Sequence, residues 1–236
     1  MPTSGDSRID ALCYIDSGLV SARWNFPASV GTSVDNPGGI GTSAQITYSF
    51  SSSVPNYYAA GDSERLGYAP LTNSQRTGVR TALNLLHECA NVTFTEVPGV
   101  GEMVFSQSDF TGTSNQNSAA YAYAPTFGWT YSGSTIQSVS ESDVGGDVWL
   151  DTSSVSNQTD TVGSYGLLTL IHEIGHALGL KHPFESPNVL PTADDNRCRT
   201  VMSYTDVANS GTVTVTGDQS SMPIRLTQTP TRYSIL

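Results

Sequence analysis

The sequence predicts an α+β protein on three observations. Short alternating runs recur between residues 45 and 150, two stretches keep a helical period, and beyond residue 182 the pattern dissolves into Pro-rich loop. At 236 residues, with 37% hydrophobic and 13% charged residues, the chain fits one sizeable domain or two lobes around a cleft.

The first forty-odd residues read as an irregular arm ending in a turn, Pro37-Gly-Gly-Ile-Gly41. That glycine run occurs once and has no Asp where a calcium-binding glycine repeat needs one. Gln45-Ile-Thr-Tyr-Ser-Phe50 alternates polar and apolar residues, as a strand does. Thr72 and Gln75 have capping-box spacing, and Val79, Leu83, Leu86 and Ala90 follow at helical period. Asn91–Val97 and Glu102–Ser106 read as two further strands. Ala119-Ala-Tyr-Ala-Tyr-Ala124 alternates small and aromatic residues and stops at Pro125, which suits a sheet edge. Asp147-Val-Trp-Leu150 is a short strand, and 151–164 a polar loop. A second helix is expected from about Tyr165 to Leu178, with Leu167, Ile171, Ile174 and Leu178 as its buried stripe and Gly179 ending it in the left-handed conformation.

Charge and cysteine usage narrow the function. The formal net charge is −11 and Lys181 is the one lysine, which argues against nucleic acid or an anionic membrane as partner. No apolar run approaches the ~20 residues of a membrane helix, and Met1–Asp10 has no apolar signal-peptide core. Cys13, Cys89 and Cys198 cannot all pair within one chain, and their pairing is not legible.

The chemistry concentrates in His172-Glu-Ile-Gly-His176-Ala-Leu-Gly-Leu-Lys-His182, eleven residues holding three of the four histidines. His172 and His176, four apart on a helix, project from one face, so their nitrogens can meet one zinc at about 2.0–2.1 Å. Gly179 lets the chain turn back and bring in His182 as the third ligand. Three protein ligands leave one position open, the arrangement of a catalytic rather than a structural zinc. Glu173 points away from ligation but reaches a water at the metal, making it the general base for attack on a peptide carbonyl. The extension from H-E-x-x-H to the third histidine makes coincidence improbable. Downstream, Thr200-Val-Met202-Ser-Tyr204 places Met202 as an apolar floor and Tyr204 as a phenol able to donate to the oxyanion. His87, outside the motif, is assigned no role. Asp147 and Asp151 flank a strand in a way that would suit calcium, without a repeat motif to support it.

These residues resemble a metzincin and, within that clan, the serralysins, bacterial secreted endopeptidases. The resemblance covers most of 4–204: Ser4-Gly-Asp-Ser-Arg-Ile-Asp-Ala-Leu12, Ile46–Phe50, Ala90–Val97, Ala119–Tyr123, Gly146-Asp-Val-Trp149, the zinc helix, and Asp195-x-Arg197 before the Met-turn. It implies a single catalytic domain over 1–236: an arm (1–44), an upper lobe (about 45–179) of twisted mixed sheet with two long helices, and an irregular lower lobe (about 180–236), with the zinc between the lobes. It further implies that Tyr204 is an additional zinc ligand at rest, that the 119–124 strand pairs with an extended peptide substrate, and that the protein is secreted. The chain departs from that pattern in its three cysteines and at Cys198-Arg199. After Tyr204 the match fades, Thr229–Leu236 resembling only the first turn of a long C-terminal helix, and the glycine-rich calcium repeats are missing.

The expected function is zinc-dependent endopeptidase. The alternative is a zinc-bearing but inactive binding or inhibitory domain, in which Glu173 would have no chemical task. Cleavage preference, oligomeric state and any proteinaceous inhibitor are not legible in the sequence.

Overall fold

A computed structural model describes residues 4–16 and 20–206. In chain order the elements are α1 (Ser7–Asp10), β1 (Ile15–Asp16), β2 (Val20–Ser21), a 3₁₀ turn (Phe26–Ser29), β3 (Ala44–Phe50), α2 (Asn73–Cys89), β4 (Val92–Glu96), β5 (Met103–Ser108), β6 (Ala120–Ala122), β7 (Phe127–Ser132), β8 (Thr135–Glu141), β9 (Val148–Asp151) and α3 (Tyr165–Ala177). Each strand and helix expected between residues 45 and 178 is present within a few residues. The resemblance of Thr229–Leu236 to a helical turn lies outside the described residues.

The main sheet has the order β4-β3-β5-β9-β6, with the first four strands parallel and β6 antiparallel to β9 at the edge. Central β5 and β9 are buried on both faces, Met103–Ser108 and Val148–Asp151 without exception, as parallel strands covered by helices must be. α2 starts at the expected capping box: the Thr72 hydroxyl accepts from Gln75 N–H while the Gln75 side chain accepts from Thr72 N–H. Val79, Leu83 and Leu86 of α2 and Leu167, Leu170 and Ile174 of α3 cover Ile46, Met103, Phe105, Val148 and Leu150 of the sheet. Each such side chain contributes about 1.5–3 kcal/mol by leaving water. The buried stripe of α3 departs from expectation in one respect. Leu170 and Ala177 are fully buried while Ile171 and Leu178 are only partly so.

A cluster of aromatic residues lies beneath β6. Tyr58, Phe110 and Trp149 form its centre, and two buried carboxyls accept the phenols around it. Glu64 Oε1 accepts from Tyr121 at 2.9 Å and from Tyr123. Asp147 accepts from Tyr57 at 2.8 Å, Tyr58 at 2.9 Å and Val104 N–H at 3.1 Å. Asp151 accepts from Phe110 N–H and Ser153. These bonds hold Tyr121 of the edge strand and Tyr123 just beyond it.

The β7–β8 hairpin was not expected from the sequence. It stands apart from the main sheet and packs on the 3₁₀ turn, making a separate small core of Phe26, Phe127 and Ile136 flanked by Val34, Trp129 and Val139. Cys13 and Cys89 carry free thiols, the first half-buried and the second exposed, and Cys198 is exposed. His87 Nδ1 meets the Val92 carbonyl at 2.6 Å, a bond that closes the turn from α2 into β4. Among the described residues no helix is long and apolar enough to cross a membrane.

Candidate metal centre

α3 begins at Ser164, whose hydroxyl accepts from Leu167 N–H at 3.1 Å, and carries His172 and His176 one turn apart with ring centroids 4.8 Å from each other. Its C-terminus is a Schellman stop: Leu180 N–H bonds Gly175 O at 2.9 Å and Gly179 N–H bonds His176 O at 2.9 Å. Gly179 sits at φ +98°, and a Cβ there would lie 2.0 Å from the Ala22 carbonyl, so glycine is required on two counts. The stop aims the Leu180 carbonyl back at the helix, where it meets His176 Nδ1 at 2.9 Å. The turn predicted to redirect the chain thus also orients a histidine.

The chain then delivers His182. Its Nε2 lies 3.2 Å from His172 Nε2 and 3.1 Å from His176 Nε2. Each Nδ1 has its own acceptor: Val201 O for His172 at 2.8 Å, Leu180 O for His176, and Glu185 Oε1 for His182 at 2.7 Å. With the Nδ1 protons so placed, all three Nε2 lone pairs converge. Lone pairs this close repel unless they share a cation. Tetrahedral nitrogens at about 2.0–2.1 Å from zinc stand roughly 3.3–3.4 Å apart, close to the observed separations. The donor set therefore fits zinc. Burial and the neighbouring imidazoles push His172 down to about 3, while burial first and then His182 push His176 down to about 4, which keeps both in the neutral form that binds metal. Among the described residues these three histidines are the group of metal-ligating side chains close enough to hold one ion.

Tyr204 reaches the same point, its hydroxyl 2.7 Å from His182 Nε2 and its ring stacked on His172 at 5.5 Å. Burial, followed by the nearby Glu173 and Glu185 carboxylates, pushes the phenol up to about 12. Met202 is fully buried beneath, and the Met-turn is locked by Met202 N–H to Thr200 Oγ1 at 3.2 Å and Ser203 Oγ to Asp195 at 2.5 Å. Glu173 is buried beside the histidines, and burial raises its carboxyl to about 8.

Two depressions meet at Glu173 and Tyr204, of about 350 Å³ on the side of Asn117, Leu168 and Val201 and about 470 Å³ on the side of Tyr123, Leu180 and Glu185. The segment around β6 runs along both: 117–120 line the first and 120–124 the second, with Ser118 and Ala120 shared. All five residues singled out by the motif, His172, Glu173, His176, His182 and Tyr204, come together here, with Met202 below. Sequence reasoning missed Glu185, although His182-x-x-Glu185 places a carboxylate one short turn from the third histidine. It also missed Lys181 and gave Asp195 no task. Asp147 and Asp151 lie away from the centre, their oxygens taken by the donors described above.

The fold and site define a class: an α+β protein with a three-histidine, zinc-type centre on an H-E-x-x-H helix above a Met-turn. No family model matches the chain. It is 34% identical over 188 residues to serralysin of Proteus mirabilis, covering 73% of this chain and 36% of that one. It is 31% identical over 178 residues to metalloprotease AprA of Pseudomonas entomophila (70% and 33% covered) and 29% identical over 184 residues to serralysin B of Dickeya chrysanthemi (72% and 34%). Among solved structures, myroilysin overlaps 62% of this chain and 53% of its own at 20% identity and a TM-score of 0.33, too loose a likeness to bear on the fold. The chain is serralysin-like, and it spans about a third of the length of the curated relatives it matches.

Proposed function

We propose that this chain is a zinc-dependent endopeptidase domain, acting on proteins outside the cell, in which His172, His176 and His182 hold the metal and Glu173 is the general base. The observation that carries this reading is the convergence of three Nε2 atoms whose Nδ1 partners leave the lone pairs facing one another. Zinc held there would supply a Lewis acid that activates water and polarises the scissile carbonyl.

Glu173 takes the proton from the attacking water and returns it to the leaving amine. Burial raises its proton affinity, which suits a group that must accept and then release a proton near neutral pH. Tyr204 stays protonated and is 57% exposed, so its hydroxyl can donate to the oxyanion that forms on the substrate. Its place 2.7 Å from His182 Nε2 supports a second task as an added ligand at rest. The free edge of β6 runs along the groove and would pair with an extended peptide, main chain to main chain.

The test is bound zinc per chain measured beside casein hydrolysis, with and without chelator, in wild type and Glu173→Gln. The expected result is one zinc in both proteins and chelator-sensitive hydrolysis in wild type alone. Zinc in wild type without hydrolysis would point to a binding domain instead.

A further inference from the structure

Lys181 is the one lysine in the chain, and it is 3% exposed. Its ammonium donates at close range to three carbonyls, Glu185 O at 2.6 Å, Ala11 O at 2.7 Å and Asn188 O at 2.9 Å, and lies 3.5 Å from a fourth, His182 O. Three N–H groups meet three oxygens, which satisfies a buried ammonium without a carboxylate partner. The same stretch is tied to the arm by its backbone: Lys181 N–H to Leu12 O at 2.8 Å, and Tyr14 N–H to Gly179 O at 2.8 Å. Two of the three carbonyls belong to the loop that follows His182. That loop carries Glu185, whose carboxylate holds His182 through Nδ1 at 2.7 Å and through the backbone N–H at 3.3 Å.

His182 differs from the other two histidines in how it is held. His172 and His176 ride on α3, and their Nδ1 atoms lean on backbone carbonyls of the Met-turn and of the helix stop. His182 stands in loop, and its orienting partner is the side chain of Glu185, itself half-exposed. Such a carboxylate orients an imidazole only as well as its own backbone is fixed. The backbone here is held by Lys181, together with Glu185 N–H to His182 O at 3.2 Å and Leu190 N–H to Pro183 O at 2.8 Å.

We propose that Lys181 is a positioning residue of the metal centre, gathering Ala11, Glu185 and Asn188 around its ammonium so that Glu185 aims His182 at the metal. The proposal rests on the zinc reading above. It makes residues 11–14 of the arm part of the centre although no arm side chain needs to touch the metal.

The experiment is a double-mutant cycle of Lys181→Met and Glu185→Ala in the full chain, reading zinc affinity by chelator competition and the absorption spectrum of the cobalt-substituted protein. Each single variant should weaken zinc about 10–100-fold, as loss of an outer-shell partner does, and shift the cobalt bands. The double variant should be no weaker than the weaker single, because both act through one loop. Wild-type zinc affinity and cobalt spectrum in Lys181→Met, with only a lower melting temperature, would overturn the proposal and leave Lys181 a structural tie. Additive losses would overturn it too. Should Lys181→Met fail to fold, Glu185→Ala keeps Lys181 in place, and amine labelling read by peptide mass spectrometry reports on a single lysine. That lysine should label slowly in wild type and faster in Glu185→Ala; equal rates would count against the coupling. Failure of wild type to bind zinc would overturn the functional reading instead, a separate outcome.

Discussion

Met202 and Gly175 are in contact through the absence of a side chain: a Cβ built on Gly175 would stand 2.7 Å from the Met202 sulfur. Gly175 lies between Glu173 and His176, so the Met-turn presses directly on the backbone of the helix that carries His172 and His176. That is the physical form of the apolar floor expected from the sequence.

The Gly175→Ala substitution should therefore act as overpacking. The expected loss is about 1–3 kcal/mol of stability, despite alanine's better helix propensity, together with weaker zinc binding. Urea unfolding checks it; a variant more stable than wild type would mean that the sulfur moves aside freely.

Tyr204→Phe removes one donor and little volume. If the phenol serves the oxyanion, kcat should fall roughly 10²–10³-fold with KM little changed. A change confined to KM would place Tyr204 in ground-state binding.

If the three histidines hold zinc as proposed, metal and fold are linked through them. With free zinc about a thousandfold above its Kd, unfolding should cost about 4 kcal/mol more than in chelator. His182→Ala should lose most of that increment, measured as the difference between paired denaturation curves. Equal curves with and without zinc in wild type would remove the metal from the stability of the fold.

Asp160 makes a pH prediction. It is 5% exposed, neither carboxyl oxygen has a hydrogen-bond partner, and burial raises it to about 6. Its Oδ1 and the carbonyls of Thr159 and Ser156 crowd one point over Gly166, 2.3, 2.4 and 2.5 Å from where a Cβ would be. A carboxyl raised above its ordinary 3.8 on folding binds its proton more tightly in the native state. Its contribution is thus full below about pH 4 and lost as pH rises through about 6, an upper limit near 3 kcal/mol for a shift of about two units. Asp160→Asn, whose amide can donate to those carbonyls, should flatten the dependence and be the more stable protein at pH 7.5. Parallel pH profiles in chelator would show that the group does not titrate between these limits.

How much was legible depended on how local each signal is. The Thr72–Gln75 capping box, the His172–His176 spacing and the Gly179 stop involve residues within a few positions of each other, and all three are found as expected. The edge strand was legible because Pro125 ends it. The hairpin at 127–141 was not: both strands are largely exposed, and although Phe127, Trp129 and Tyr131 alternate along β7, its partner β8 has only Ile136 and Val139, which do not alternate. The tasks of Glu64, Lys181 and Asp195 were invisible for a different reason. Their partners, Tyr121, Ala11 and Ser203, lie 57, 170 and 8 residues away, and only the tertiary fold brings a charge and its acceptor or donor together. Ile171 and Leu178 fit a helical stripe as well as Leu170 and Ala177 do, and periodicity alone cannot say which way a helix is turned.

The small core around Phe26, Phe127 and Ile136 has its own consequence. It shares no fully buried residue with the main core, so the hairpin and the 3₁₀ turn are held chiefly by each other. Such a unit can open while the sheet stays closed. Amide protons of 127–141 should exchange with solvent well before those of the central strands, giving one chain two levels of cooperativity.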